Sequence, residues 1–210
     1  LKLADIKGSY DAIFSLGDLC LISMQLEKNN LRPYAGPLDW MASYNLSDVN
    51  RLLTNRFARF MDLANLEVEK QISDALYLVV EKEYNFLSNH DFLTYKNTPD
   101  NLADYPAIKA KYDRRVQRFL HKCATARRIL FIRTEGTHEQ TAELEQVLSG
   151  LVVNDFNILL LNHTTAVQTI VENDCPLKRV CSLQMPEVGK WDGNDPLWAD
   201  ILSGIVLDES

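Results

Sequence analysis

The sequence has no run of the roughly 18 apolar residues that a membrane-spanning helix requires. It also has no CxxC pair, no HExxH and neither of the glycine-rich nucleotide signatures, the P-loop and GxGxxG. Each absence removes a class of function. Cys20, Cys123, Cys175 and Cys181 do not supply a zinc-like cluster, nor do His90, His121, His138 and His163, so neither a metal nor a cofactor is expected. Residues before the first strand lack a signal peptide's apolar core, and the thiols read as reduced and the protein as cytoplasmic. Basic side chains are outnumbered, 22 against 29 acidic, and the formal charge of -7 gives no broad attraction toward nucleic acid or an anionic membrane. No repeat, low-complexity tract or separating linker divides the chain.

What is present is enough apolar content, 46% of 210 residues, for one substantial core. The run "AIFSL" (12–16) reads as an interior strand. Gly17 permits a sharp exit, Asp18 can cap the helix that follows, and Cys20 then falls in that helix's first turn. The stretch "LRPYAGPLDWMASYNL" resists regular structure but carries Tyr34, Leu38 and Trp40 for a tightly held loop. Ser47 is a candidate cap for a helix with Val49, Leu52, Leu53 and Phe57 at packing intervals. Residues 75–80 fit a short strand or a helix equally, and Tyr84 to Pro106 reads as an irregular excursion containing "NHDF".

Pro106 opens a helix running to about Cys123. "ILFIR" is a second strong strand, and Thr137 and Gln140 have capping-box spacing for a helix that Gly150 can end. "NILLLNH" is a third strand, Val167, Ile170 and Val171 suggest a further helix, "LKRVCSL" is a fourth strand, and "WADILSGIVL" closes with a helix. Strands separated by helices favour α/β architecture: a mostly parallel, Rossmann-like sheet with helices on both faces. Residues 1–210 then form a single domain, with a helical and irregular insertion at about 33–105.

Ligands of open α/β sheets sit beyond the carboxyl ends of the strands. The Gly17–Cys20 corner, Arg133 and His163 converge there if the strands are as assigned. Cys20 has two readings, a nucleophile activated by a helix N-terminus and a histidine, or an inert packed thiol. His90 and His163 compete as its base, with the adjacent Asp91 or the more distant Asp39 as orienter. Arg133 can hold a carboxylate or phosphate, or serve an internal pair. Asp18 reads as a cap or a site residue, and Trp40 as a cleft wall or a packing anchor. The five basic residues Lys109, Lys111, Arg114, Arg115 and Arg118 read as a solvated helical face or as an anion site.

The combination "SLGDLC", "GPLDW", "NHDF" and "ILFIR" resembles a bacterial family of unknown function named for papain-like cysteine peptidases, domain of unknown function 1796. The resemblance runs from Tyr10 to "WDGNDPLW" and carries onto Cys20, Asp39, Trp40, His90, Asp91 and Arg133. It implies Cys20 attack on a carbonyl, proton transfer by histidine and an acyl-enzyme intermediate, with a peptide or a small amide or ester as substrate. The local "HDF" feature makes His90 the expected nearer partner of Cys20. This chain lacks papain's C-G-[SA]-C-[WY] arrangement. Two alternatives stand beside that function. One is a noncatalytic phosphate- or nucleotide-sugar-binding module centred on Arg133, and the other is an ester hydrolase on a related α/β fold; no protein partner is indicated.

Overall fold

The computed structural model describes residues 1–208, and its organisation follows from the alternation of inward-facing side chains along a few short strands. After β1 (Gly8–Tyr10), the chain enters β2 (Ala12–Ser15), all four of whose residues are buried. It leaves through Gly17, at φ +85°, into α1 (Leu21–Lys28). The stretch that follows contains β3 (Met41–Ala42), α2 (Leu46–Thr54), β4 (Leu66–Gln71), β5 (Leu76–Glu81) and β6 (Phe86–Leu93). Then come α3 (Tyr105–Thr125), β7 (Arg128–Thr134), α4 (His138–Leu151), β8 (Asp155–Thr164), β9 (Val171–Glu172), β10 (Val180–Pro186), α5 (Asp195–Leu202) and β11 (Ile205–Leu207).

The fold is mixed α/β. Its five-stranded sheet has the order β2-β7-β8-β10-β9. The first four strands are mutually parallel, but β9 pairs antiparallel with β10, so the sheet is mixed. A second sheet, β3-β6-β5-β4, is wholly antiparallel, and β1 pairs with β11.

Three sequence expectations are corrected here. Val167, Ile170 and Val171 do not make a helix: Val171 lies instead in the two-residue edge strand β9. The insertion read as helical and irregular holds the antiparallel sheet as well as α2. Residues 75–80 resolve as strand, because Leu76–Glu81 can pair on both sides, with β4 and β6. The cap of α2 is Asn45, whose side chain accepts from the Ser47 N–H, rather than Ser47 itself. The Thr137–Gln140 capping box does form.

Period-two alternation splits the core across the sheet. Phe14, Ile129, Phe131, Phe156, Ile158 and Leu160 face a cluster that includes buried residues of α2, α3 and α4. Ile13, Leu130, Ile132, Leu159, Leu161 and Leu183 face the other way, onto Leu21, Ile22 and Leu26 of α1 and Trp198 and Ile201 of α5. Cys20 therefore starts a helix packed on the second face. The strand ends around it are held from both sides.

Candidate functional site

Because β2, β7 and β8 run parallel, their carboxyl ends lie on one edge. Gly17 occupies the first of these exits for a steric reason. A Cβ there would lie 2.1 Å from Ser43 Oγ and 3.0 Å from Arg133 Nη1, on a backbone already at positive φ.

Arg133, at the end of β7, is completely buried. Its Nε donates to the Glu135 carbonyl at 3.0 Å. Nη1 donates to the Leu16 carbonyl at 2.9 Å and Ser43 Oγ at 3.0 Å, and Nη2 to the carbonyls of Ser43 at 2.8 Å and Tyr44 at 3.3 Å. A guanidinium has five N–H donors, and all five are used internally. Burial lowers its pKa to about 10, against the opposing pull of Asp18 and Glu135, so it stays cationic at neutral pH. The expectation that Arg133 grips a substrate anion is corrected: the side chain fastens the insertion loop to the exit of β2 and keeps no donor for a ligand.

Asp18 does not cap α1. The N-cap position is Cys20, which makes no side-chain capping bond. The Asp18 residue is only 5% exposed, and among the described residues no hydrogen bond reaches its carboxylate. Burial pushes its pKa up; Arg133 and Lys190 pull it down, Glu135 raises it and His163 lowers it. Cys20 is half-buried and unpaired. Burial raises its thiol pKa, opposed only by a backbone N–H, so the activation expected of a helix N-terminus plus histidine is absent in this arrangement. Among the described residues neither imidazole hydrogen-bonds the thiol.

One imidazole is nevertheless oriented by a carboxylate. Glu135, in the turn after β7 at φ +60°, reaches across to the next strand. Its Oε1 lies 2.7 Å from His163 Nδ1, and Lys190 Nζ donates to the same oxygen at 3.0 Å. Burial would raise the Glu135 pKa, but the hydrogen bonds from His163 and Lys190 outweigh it and hold the carboxyl below its usual range. A carboxylate against Nδ1 keeps the proton on that nitrogen and leaves Nε2 the acceptor. The His163 side chain has no exposed surface, and its Nε2 is buried without a partner.

His90 belongs to a different cluster. The pairing of β5 with β6 jumps from Tyr77↔Phe92 to Val79↔Ser88, so Asn89, His90 and Asp91 bulge opposite a single residue. His90 is exposed and meets Trp40 edge-on at 5.5 Å. Asp91 turns inward, accepting from Ser88 Oγ and Tyr112 Oη at 2.6 Å each and from Lys111. Burial would raise its pKa, but these three hydrogen bonds win and hold it low. Asp91 orients nothing on His90: both its oxygens are engaged inward by Ser88, Tyr112 and Lys111, while His90 is exposed on the bulge. Asp39 is likewise engaged: Oδ2 accepts from Arg32 Nε at 2.7 Å and from the Gly36 N–H at 2.9 Å, while its carbonyl accepts from Ser23 Oγ of α1 at 3.0 Å. Trp40 is half-buried, with the Arg32 guanidinium 5.3 Å from its ring centre on one side and His90 edge-on to it.

A family model described as "Putative papain-like cysteine peptidase (DUF1796)" matches residues 11–166, from the entry of β2 to just past β8. The chain belongs to this family. "Uncharacterized protein R408" of Acanthamoeba polyphaga mimivirus is 27% identical over 179 residues, covering 74% of this chain and 79% of that protein. That relative is viral and lends the expected bacterial origin no support. No solved structure matches the chain.

The family match includes Cys20, His90, Arg133, Glu135 and His163, whereas Lys190 lies beyond it. Sequence reasoning did not place Glu135 and Lys190 in the site. The "RTEG" turn after a strong strand is the one signal that could have singled out Glu135. Lys190 carries none, since its partner lies 55 residues earlier. Among the described residues no group of three or more His, Cys, Asp or Glu is arranged to hold a metal, and no helix is long and apolar enough to cross a membrane.

Proposed function

We propose that this family member is a cysteine-dependent hydrolase or acyltransferase acting on an amide or ester carbonyl, with Cys20 as nucleophile and His163 as base. The observation that carries the reading is the Glu135–His163 pair, whose Nε2 is left without a partner at the strand edge from which α1 departs. As sulfur attacks the carbonyl carbon, Nε2 takes the thiol proton. The C–N or C–O bond then breaks, and the leaving group takes that proton back. Water, or a second nucleophile in acyl transfer, next cleaves the thioester, with His163 again acting as base. Because burial raises the Cys20 pKa, the resting group is a thiol, and proton transfer accompanies attack. Hydrogen bonds of catalytic pairs are commonly long or misaligned before substrate binds.

The same reading takes the chain as one domain on a Rossmann-like parallel core. It treats the unpaired thiols as belonging to a reducing, cytoplasmic compartment, and a peptide or a small amide or ester as substrate. The raised thiol pKa and the lack, among the described residues, of a thiol–imidazole hydrogen bond favour a second reading, a noncatalytic binding module. The saturation of Arg133 counts against the phosphate-binding form of that module.

An acyl trap separates the two. With p-nitrophenyl acetate, peptide mapping should find the acetyl group on Cys20. The rate should fall on the order of 10²-fold or more in His163→Asn, as expected for loss of a general base. Acetylation spread over lysines, or an unchanged rate in His163→Asn, would overturn the enzyme reading.

A further inference from the structure

We propose that α3 and the loop 32–40 form a binding site for a small-molecule phosphate monoester, held by Arg115 and Arg118. The inference is separate from the cysteine chemistry and goes beyond it. Lys111, Arg115 and Arg118 stand at i, i+4 and i+7 on α3 and so share one stripe of the helix. The loop reaches that stripe at both ends. Tyr34 lies against Arg118, with 4.5 Å from the guanidinium carbon to the ring centre, and Trp40 meets His90 of β6, whose neighbour Asp91 binds Lys111. Arg115 comes between the two.

The three cations differ in what holds them. Asp91 neutralises Lys111, whereas among the described residues Arg115 and Arg118 make neither a salt bridge nor a hydrogen bond and are held by aromatic rings, Arg115 by Tyr112 at 5.3 Å and Arg118 by Tyr34. A ring face attracts the charge without accepting the N–H groups as an oxyanion would. Arg115 is half-buried, and of its nitrogens Nη1 is sealed from solvent without an acceptor, a state that calls for a partner. The neighbouring carboxylates are already engaged. Both oxygens of Asp91 serve Ser88, Tyr112 and Lys111, and Asp39 serves Arg32 and the Gly36 N–H.

Two guanidinium groups one helical turn apart, fixed in place and not neutralised, therefore stand together in a chain of net charge -7. An external anion would relieve their repulsion. A phosphate monoester carries a charge of about -1.5 to -2 and three strong acceptor oxygens, which matches two guanidinium groups, each able to bind two oxygens. A carboxylate, with one charge and two oxygens, serves only one of them.

The test is NMR-detected titration of the full wild-type chain, following the arginine Nε–H and Trp40 indole N–H resonances. Four probes are compared: adenosine monophosphate, ribose phosphate, adenosine and acetate. Both phosphate esters should give saturable shifts, with at least tenfold weaker binding for adenosine and acetate; tighter binding of the nucleotide would assign the source as a nucleotide, and equal binding would assign a sugar phosphate as sufficient. Arg115→Gln and Arg118→Gln should each weaken both esters at least tenfold. Lys70→Gln, which removes an exposed positive charge from β4, should change them less than twofold. No shift with either ester, acetate or adenosine binding as well as the esters, full affinity in either arginine variant, or an equal loss in Lys70→Gln would overturn the proposal. If Arg115→Gln does not fold, the exposed Arg118→Gln and the comparison of probes decide.

Discussion

Glu135 and His163 meet at 2.7 Å from the ends of neighbouring parallel strands, while among the described residues the free thiol at the start of α1 hydrogen-bonds neither. In the proposed mechanism the base is therefore oriented before the nucleophile arrives. Glu135→Gln keeps the shape but loses the charge that selects the Nδ1–H tautomer, and acylation of Cys20 should slow about 10²–10⁴-fold, the span of general-base effects. The same change tests stability. A carboxyl held below its usual pKa of 4.5 contributes stability that is present above that value and lost as pH falls through the lowered folded pKa. Thermal midpoints of wild type and Glu135→Gln should converge as pH drops below about 4.5; a gap that widens there would refute the assignment.

His90 and Asp91 should separate cleanly. His90→Ala removes an exposed ring from Trp40 and should leave stability within about 0.5 kcal/mol and Cys20 acylation within about twofold. Asp91→Asn breaks a buried set of hydrogen bonds to Ser88, Tyr112 and Lys111 and should cost about 1–3 kcal/mol in urea unfolding. A large rate loss in His90→Ala with normal stability would restore His90 as the base.

The parts legible in the sequence are those where local pattern and tertiary role coincide. "ILFIR" and "NILLLNH" read as strands because their apolar runs serve both faces of one sheet, and the Thr137–Gln140 box is a local device. The site was less legible. His90 and Asp91 look like a pair in "NHDF", but a bulge in β6 sends one to solvent and the other to α3. Val167, Ile170 and Val171 have helical spacing, yet two residues of that segment find an open edge on β10. Arg133 looks like an anion receptor until each of its N–H groups is traced to a carbonyl or hydroxyl, and that tracing depends on a loop 90 residues upstream.

Arg133→Lys therefore tests structure, not substrate binding. Lysine brings at most three donors and no planar fork, leaving two or more buried acceptors unsatisfied at about 1–3 kcal/mol each. A loss of about 2–4 kcal/mol in chemical denaturation is expected. Stability within about 0.5 kcal/mol of wild type would mean that the five bonds do not hold the insertion loop.

Glu81 should make the protein's stability depend on pH far from the reactive edge. It has no exposed surface; Oε2 accepts from the Tyr84 N–H at 2.9 Å, and Oε1 has no partner. Burial raises its pKa from 4.5 to about 7, against the backbone hydrogen bonds that favour the anion. The sign is opposite to that of Glu135. Between the unfolded and folded values the folded chain binds more protons than the unfolded one, so stability declines as pH rises from about 4.5 to about 7. A shift of this size corresponds to roughly 3 kcal/mol. Glu81→Gln is uncharged throughout, so the stability difference, wild type minus variant, should fall by up to that amount across the window and level off above it. Urea unfolding at pH 4.5, 5.5, 6.5 and 7.5 measures this directly, and a flat or rising difference would show that the Glu81 carboxyl is ionised in the folded protein at the lowest of these values.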